Sequence, residues 1–154
     1  MSSWRSGKLQ LKCSLGLLRK ALTSIVKEWD QYIVEDEQGL LELYGYQGSK
    51  KGDNYYLVVP GKGDPYRAAA PGFNYSGLGV RKQKDGTWVI DVDTSGLPSH
   101  AKNIVGKVNA FVAAEKVRKR AALQGNNIVS ETTQGGKTKI LMTAPVDPKY
   151  KIHA

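Results

Sequence analysis

On either side of Asp85-Gly86 the chain alternates apolar and polar side chains, and this alternation fixes a register as well as a hairpin. A two-residue loop would mix polar and apolar side chains on both faces of the pair. A three-residue loop, Lys84-Asp85-Gly86 with Gly86 left-handed, gathers Leu78, Val80, Trp88, Ile90 and Val92 on one face. Arg81, Gln83, Thr87 and Asp91 then share the other, with Val89 the misfit. Register is set where one face must be buried, so the second pairing is expected. It predicts a dry face with Trp88 beneath the first helix, near Leu22 or Ile25, and a wet, partly basic face opposite.

The rest of the chain supplies elements to cover that dry face. Residues 1–7 read as a flexible start, and Lys8 to Cys13 as a strand with Leu9, Leu11 and Cys13 on one side. Ser14 is a good N-cap for a helix reaching about Trp29, whose Leu15, Leu18, Leu22, Ile25, Val26 and Trp29 form one stripe. Tyr32 to Glu35 and Leu40 to Tyr46 suggest a second hairpin around Glu37-Gln38-Gly39. Tyr55 to Val59 is a strand ended by Pro60, which cannot donate to a ladder. Residues 61–77 form a long irregular segment carrying Tyr66, Phe73 and Tyr75; loops of this kind are often functional.

Pro98-Ser99 opens a second helix that persists to about Leu123, with Gly125 as its cap. Asn127 to Thr132 and Lys137 to Ala144 make a last hairpin, and 145–154 read as a tail. The order predicts one α+β domain over 8–144: an antiparallel sheet with two helices packed on one face. A ferredoxin-like core enlarged by a middle hairpin would fit it. The open sheet face is then the natural place for a partner.

Composition narrows the class without naming a reaction. With 154 residues, 40% of them apolar, the chain can bury a core without staples. Its single cysteine, Cys13, rules out an internal disulfide and fits a reducing compartment. No apolar run approaches a membrane span and the start lacks a secretory pattern, so a cytoplasmic protein without membrane insertion is expected. The net charge of +9 is the outlier. It favours nucleic acid or an anionic assembly surface as partner, although lysines also simply confer solubility.

Catalytic and metal patterns are not found. His100 and His153 have no Cys or His at ligand spacing, and no nucleophile-elbow motif accompanies His100. Gly61-Lys62-Gly63-Asp64 lacks the spacing of a phosphate-binding fingerprint. Asp91 and Asp93 share one side of a strand, as two acid–base carboxylates would, but that side is expected to face water. No cofactor and no enzymatic activity are expected.

The chain from about Lys8 to Met142 resembles the hypothetical chloroplast reading frame thirty-five family of cyanobacteria, plastids and other bacteria. The resemblance is carried by Gly45-Tyr46-Gln47-Gly48, the strand Tyr55 to Val59, and Gly79-Val80-Arg81-Lys82 running into Asp85-Gly86-Thr87-Trp88. A helix containing Val108 to Arg120, Gln124-Gly125 and a closing hairpin complete it. The resemblance implies no catalytic residue or cofactor. It implies an adaptor or assembly role beside an ATPase of the AAA type, in cytoplasm or plastid stroma.

Two functional readings follow. The first is a non-enzymatic assembly subunit, adaptor to such an ATPase or structural component of a larger particle, viral ones included. Its candidate contact is a small-residue stripe on the second helix, Ala110, Ala114, Val117 and Ala121, able to seat another helix. The alternative is a basic nucleic-acid-binding module. It would gather Arg81, Lys82, Lys116, Arg118 and Lys119 on one surface, flanked by Tyr66 or Tyr75 for base stacking.

Overall fold

The computed structural model describes residues 4–73, 75–124, 127–134 and 137–143. The central hairpin forms in the expected register, with β5 (Leu78–Lys82) against β6 (Trp88–Asp93). Val80 lies opposite Ile90 and Leu78 opposite Val92. Gly86 has φ +84°, so the three-residue turn uses the conformation that glycine adopts without steric cost.

Around this hairpin the remaining strands are β1 (Trp4–Lys8), β2 (Val34–Glu35), β3 (Leu41–Tyr44) and β4 (Lys50–Val59). They complete a six-stranded antiparallel sheet in the order β1-β6-β5-β4-β2, with β3 also pairing β4. Helices α1 (Leu15–Ile25) and α2 (Ile104–Gln124) both pack on one face. Leu18 and Leu22 of α1 and Ile104, Val108 and Val112 of α2 share a core with Leu57, Val80, Trp88 and Ile90. Trp88 is buried there, its indole N–H donating to the Cys13 carbonyl at 2.8 Å, immediately before the α1 cap.

The α+β class and the placement of both helices stand. The ferredoxin-like core does not form. Such a core would put the first strand inside the sheet beside a parallel neighbour, whereas β1 lies at the edge, antiparallel to β6. The last hairpin, β7 (Asn127–Gln134) with β8 (Lys137–Thr143), is a separate two-stranded sheet in contact with α2. The first strand begins at Trp4, within the segment expected to be flexible, and ends at Lys8, where the expected strand was to start. Of the alternating residues that suggested the later strand, Leu9 is buried but Leu11 is exposed. No second hairpin closes around 37–39 either. β2 and β3 lie in succession along the same edge of β4, because Asp36 turns the chain by accepting from the Gln38 and Leu40 N–H groups.

Helix α1 is capped as expected: Ser14 Oγ accepts from the Leu17 N–H at 3.1 Å. It ends at Ile25, and a short 3₁₀ turn over 27–31 carries the chain on to Trp29. Replacing Ser14 by Ala removes that bond and should cost about 1 kcal/mol, read from the urea midpoint; an unchanged midpoint would show the cap to be idle. Gly125, the tail 145–154 and His153 lie outside the described residues.

Candidate functional site

The face expected to be wet is buried at its centre, although Gln83 at the hairpin end is exposed. Asp91 and Asp93 are buried along with Val89. A second apolar cluster, Leu43, Tyr55 and Val58 with Trp4 and Leu41 against it, covers that side. It can do so because the sheet curls. Trp4, on the edge strand β1, has Lys51 of β4 over its ring at 5.2 Å, three strands away in the sheet order. Gly79 makes room at the centre, since a Cβ there would sit 2.5 Å from the Tyr55 ring.

Asp91 is the polar centre of this face. Arg81 grips it with Nε at 2.7 Å and Nη2 at 3.4 Å, and the Tyr55 hydroxyl donates at 2.7 Å. Ser6 Oγ donates to its other oxygen. Four strands, β1, β4, β5 and β6, thus converge on one carboxylate. Burial pushes the Asp91 pKa up, but the bonds from Arg81, Ser6 and Tyr55 together hold it below the ordinary carboxylate value. Burial and the bond to Asp91 push the Tyr55 phenol up. Both Asp91 oxygens are occupied by the chain itself, so the arrangement works as a structural clamp.

The basic residues expected to form one surface are divided. Arg81 is spent on Asp91, while its neighbour Lys82 points the other way, its ammonium 4.6 Å from the Trp88 ring centroid and 5.3 Å from that of Tyr56. Arg118 is ion-paired with Glu115 at 2.5 Å. Only Lys116 and Lys119 come together, with Lys20, around a cleft of 460 Å³ where the start of α1 meets α2. Glu115 lines the same cleft and pairs Lys20 at 3.8 Å, offsetting part of its charge. Cys13 lines it as well. Burial raises its thiol pKa against the pull of Lys116, which is the opposite of nucleophile activation.

The small-residue stripe on α2 is not a free surface. Ala110, Ala114 and Ala121 are buried and Val117 is half-buried, on a helix packed against α1 and the β7–β8 hairpin. The fold has already used the close approach that alanine permits.

Tyr66 and Tyr75 do lie outward, 79% and 43% exposed, and they have company that sequence reasoning missed. Tyr75 meets Tyr46, itself 44% exposed, edge to face at 4.8 Å between centroids. Tyr66 meets Tyr44 in the same manner at 5.6 Å. Beside Tyr46 is a pocket of 420 Å³ lined by Trp4, Gly45, Gln47, Ser49, Lys50 and Lys51. Two segments build this end of the molecule: the turn from β3 to β4, and the 61–77 loop.

Both segments are held firmly. In the turn, the Gly45 N–H donates to the Ser49 carbonyl at 2.7 Å, and Gln47 occupies the left-handed region at φ +55°. In the loop, the nearly buried Asp64 carboxylate accepts from the Tyr66 N–H at 2.9 Å and the Arg67 N–H at 3.0 Å, and ion-pairs with Arg67 Nε at 2.7 Å. Arg67 also donates to the Glu42 carbonyl, stitching the loop to β3. Phe73 stacks on Trp29 at 5.0 Å, and the Trp29 indole N–H donates to the Pro71 carbonyl at 2.7 Å. Gly45-Tyr46-Gln47-Gly48 offered a signal for this site, but only as turn residues.

Among the described residues, no group of three His, Cys, Asp or Glu side chains is placed to hold a metal ion. No helix among them is long and apolar enough to cross a membrane. No protein-family model, curated protein or solved structure matches the chain.

Proposed function

We propose that this chain is a non-enzymatic binding subunit that docks a macromolecular partner on the tyrosine-rich end of its sheet. One observation carries the reading: three tyrosines, Tyr46, Tyr66 and Tyr75, stay exposed on segments that are otherwise pinned by hydrogen bonds, ion pairs and a Trp–Phe stack. Ordering such rings costs little on binding, because the backbone beneath them is fixed beforehand. Aromatic side chains with a polar tip are the residues that anchor interfaces. An adaptor or particle-assembly role, as the family resemblance implies, would work through this end instead of the α2 stripe.

The test is recovery of the tagged protein from a native extract of its own source, with and without nuclease. A triple variant, Tyr46→Ala with Tyr66→Ala and Tyr75→Ala, should release the bound partners while keeping its fold, at a stability cost of about 0.5–1.5 kcal/mol for each of the two edge-to-face pairs it breaks. If the variant retains the same partners as the wild type, this end is not the docking surface.

A further inference from the structure

Resting on that reading of the tyrosine end, we propose that its partner is a single-stranded nucleic acid, with bases stacked on the tyrosines and phosphates held by the lysines beside them. Single strands are bound without sequence preference where aromatic faces for the bases lie next to cations that track the backbone. Both halves of that requirement meet here. Tyr46 and Tyr75 form one aromatic step and Tyr66 a second, all solvent-facing. Lys50 and Lys51 line the pocket beside Tyr46.

Lys62 adds a third cation. It is exposed between Gly61 and Gly63, where an added Cβ would meet Ser76 and Tyr75 backbone on the one side and Gly45 backbone on the other. That puts it where the 61–77 loop lies against the β3–β4 turn. Lys51 is held over the Trp4 ring, while the ion pairs of Lys50 with Glu42 at 3.6 Å and Asp53 at 4.0 Å offset part of its charge and must open for a phosphate. The net charge of +9 provides the long-range attraction for a polyanion.

An exposed ring suits an unstacked base, which a duplex does not offer. The Lys116–Lys119 cleft has cations but lines them with Cys13, Ser14, Gly16 and Leu17, and no aromatic ring. It is therefore the internal control for charge alone.

The experiment is fluorescence anisotropy of the intact chain with oligo(dT) and oligo(U) of about a dozen nucleotides, a duplex of equal length, and heparin as competitor. Both single strands should bind more tightly than the duplex. Three phosphate contacts predict about a twentyfold loss of affinity between 50 and 200 mM salt. Tyr46→Ala or Tyr66→Ala should weaken single-strand binding by roughly 5- to 150-fold, the effect of one lost stacking ring. Lys51→Ala with Lys62→Ala should flatten the salt dependence, and Lys116→Ala with Lys119→Ala should change affinity less than twofold.

The inference is overturned if no oligonucleotide binds at 50 mM salt, if duplex or heparin competes equally while the tyrosine variants are silent, or if the Lys116 and Lys119 variant carries the loss. Its failure is separable from failure of the docking surface. Oligonucleotides that do not bind, together with extract partners lost from the triple tyrosine variant, would reject nucleic acid and keep the surface. Partners retained by that variant would reject both.

Discussion

Trp29→Ala should lower stability by about 3–5 kcal/mol, the cost of truncating a packed indole. Trp29 is fully buried between α1 and the 61–77 loop, stacked on Phe73 and hydrogen-bonded to the Pro71 carbonyl. The change removes the main apolar anchor of that loop, so damage should reach beyond the cavity. Limited proteolysis should then cut within 61–77 long before the rest of the chain. Trp29→Phe keeps an aromatic ring for Phe73 and should cost less, losing the N–H bond at about 1 kcal/mol together with the space left by the smaller ring. A Trp29→Ala protein with the wild-type denaturation midpoint and an intact loop would refute this account of how the tyrosines are held.

The second large effect is expected at Asp91. Asp91→Ala leaves Arg81 half-buried without its counter-ion and the Tyr55 hydroxyl without its acceptor. Breaking a buried pair from one side costs about 3–5 kcal/mol, and the lower end applies because the Arg81 side chain keeps 31% of its exposure. The same residue sets a pH dependence. Its folded pKa lies below the ordinary value, so the unfolded chain takes up the proton first. The clamp's contribution is therefore fully present above the ordinary aspartate pKa of about 4 and is lost as pH falls through the lower folded value. Asp91→Asn should remove that part of the acid sensitivity. If wild type and Asp91→Asn lose stability in parallel on acidification, the clamp is not what acid breaks.

The clamp also shows what was legible in the sequence and what was not. The central hairpin could be read because its dry face is written in one contiguous stretch, Leu78 to Val92. The opposite face carries Arg81, Gln83, Thr87 and Asp91, which looks solvated when taken alone. One clue was within reach: the chosen register already sets Arg81 and Asp91 on one face as diagonal neighbours across two strands, an opposite-charge pair. Their burial, however, depends on Ser6 and Tyr55, far away in the chain, and on the curl that brings Trp4 to Lys51.

The misplaced first strand has the same origin. The alternation at Leu9, Leu11 and Cys13 is local, while the ladder of Trp4–Lys8 is dictated by β6. For the site, Tyr66 and Tyr75 were found as loop aromatics, but their grouping with Tyr46 arises only when the β3–β4 turn and the 61–77 loop meet. Charge was the least informative signal. Adjacent Arg81 and Lys82 are sent to opposite faces by the period-2 geometry of a strand.

The edge position of β1 bears on how the chain is made. Ser6 and Asp91 are separated by 85 residues, so on the ribosome β1 emerges long before any strand exists for it to join. Translation at about 5–20 residues per second keeps it waiting for several seconds. During that interval the helix α1 and the β3–β4 hairpin can form from local contacts, whereas β1, the second core and the Asp91 clamp must wait for β6. Nascent chains stalled before Asp91 should therefore hold a helix and a hairpin but lack the folded resistance to protease, which would arrive only once α2, which completes the main core, has followed β6 out of the exit tunnel.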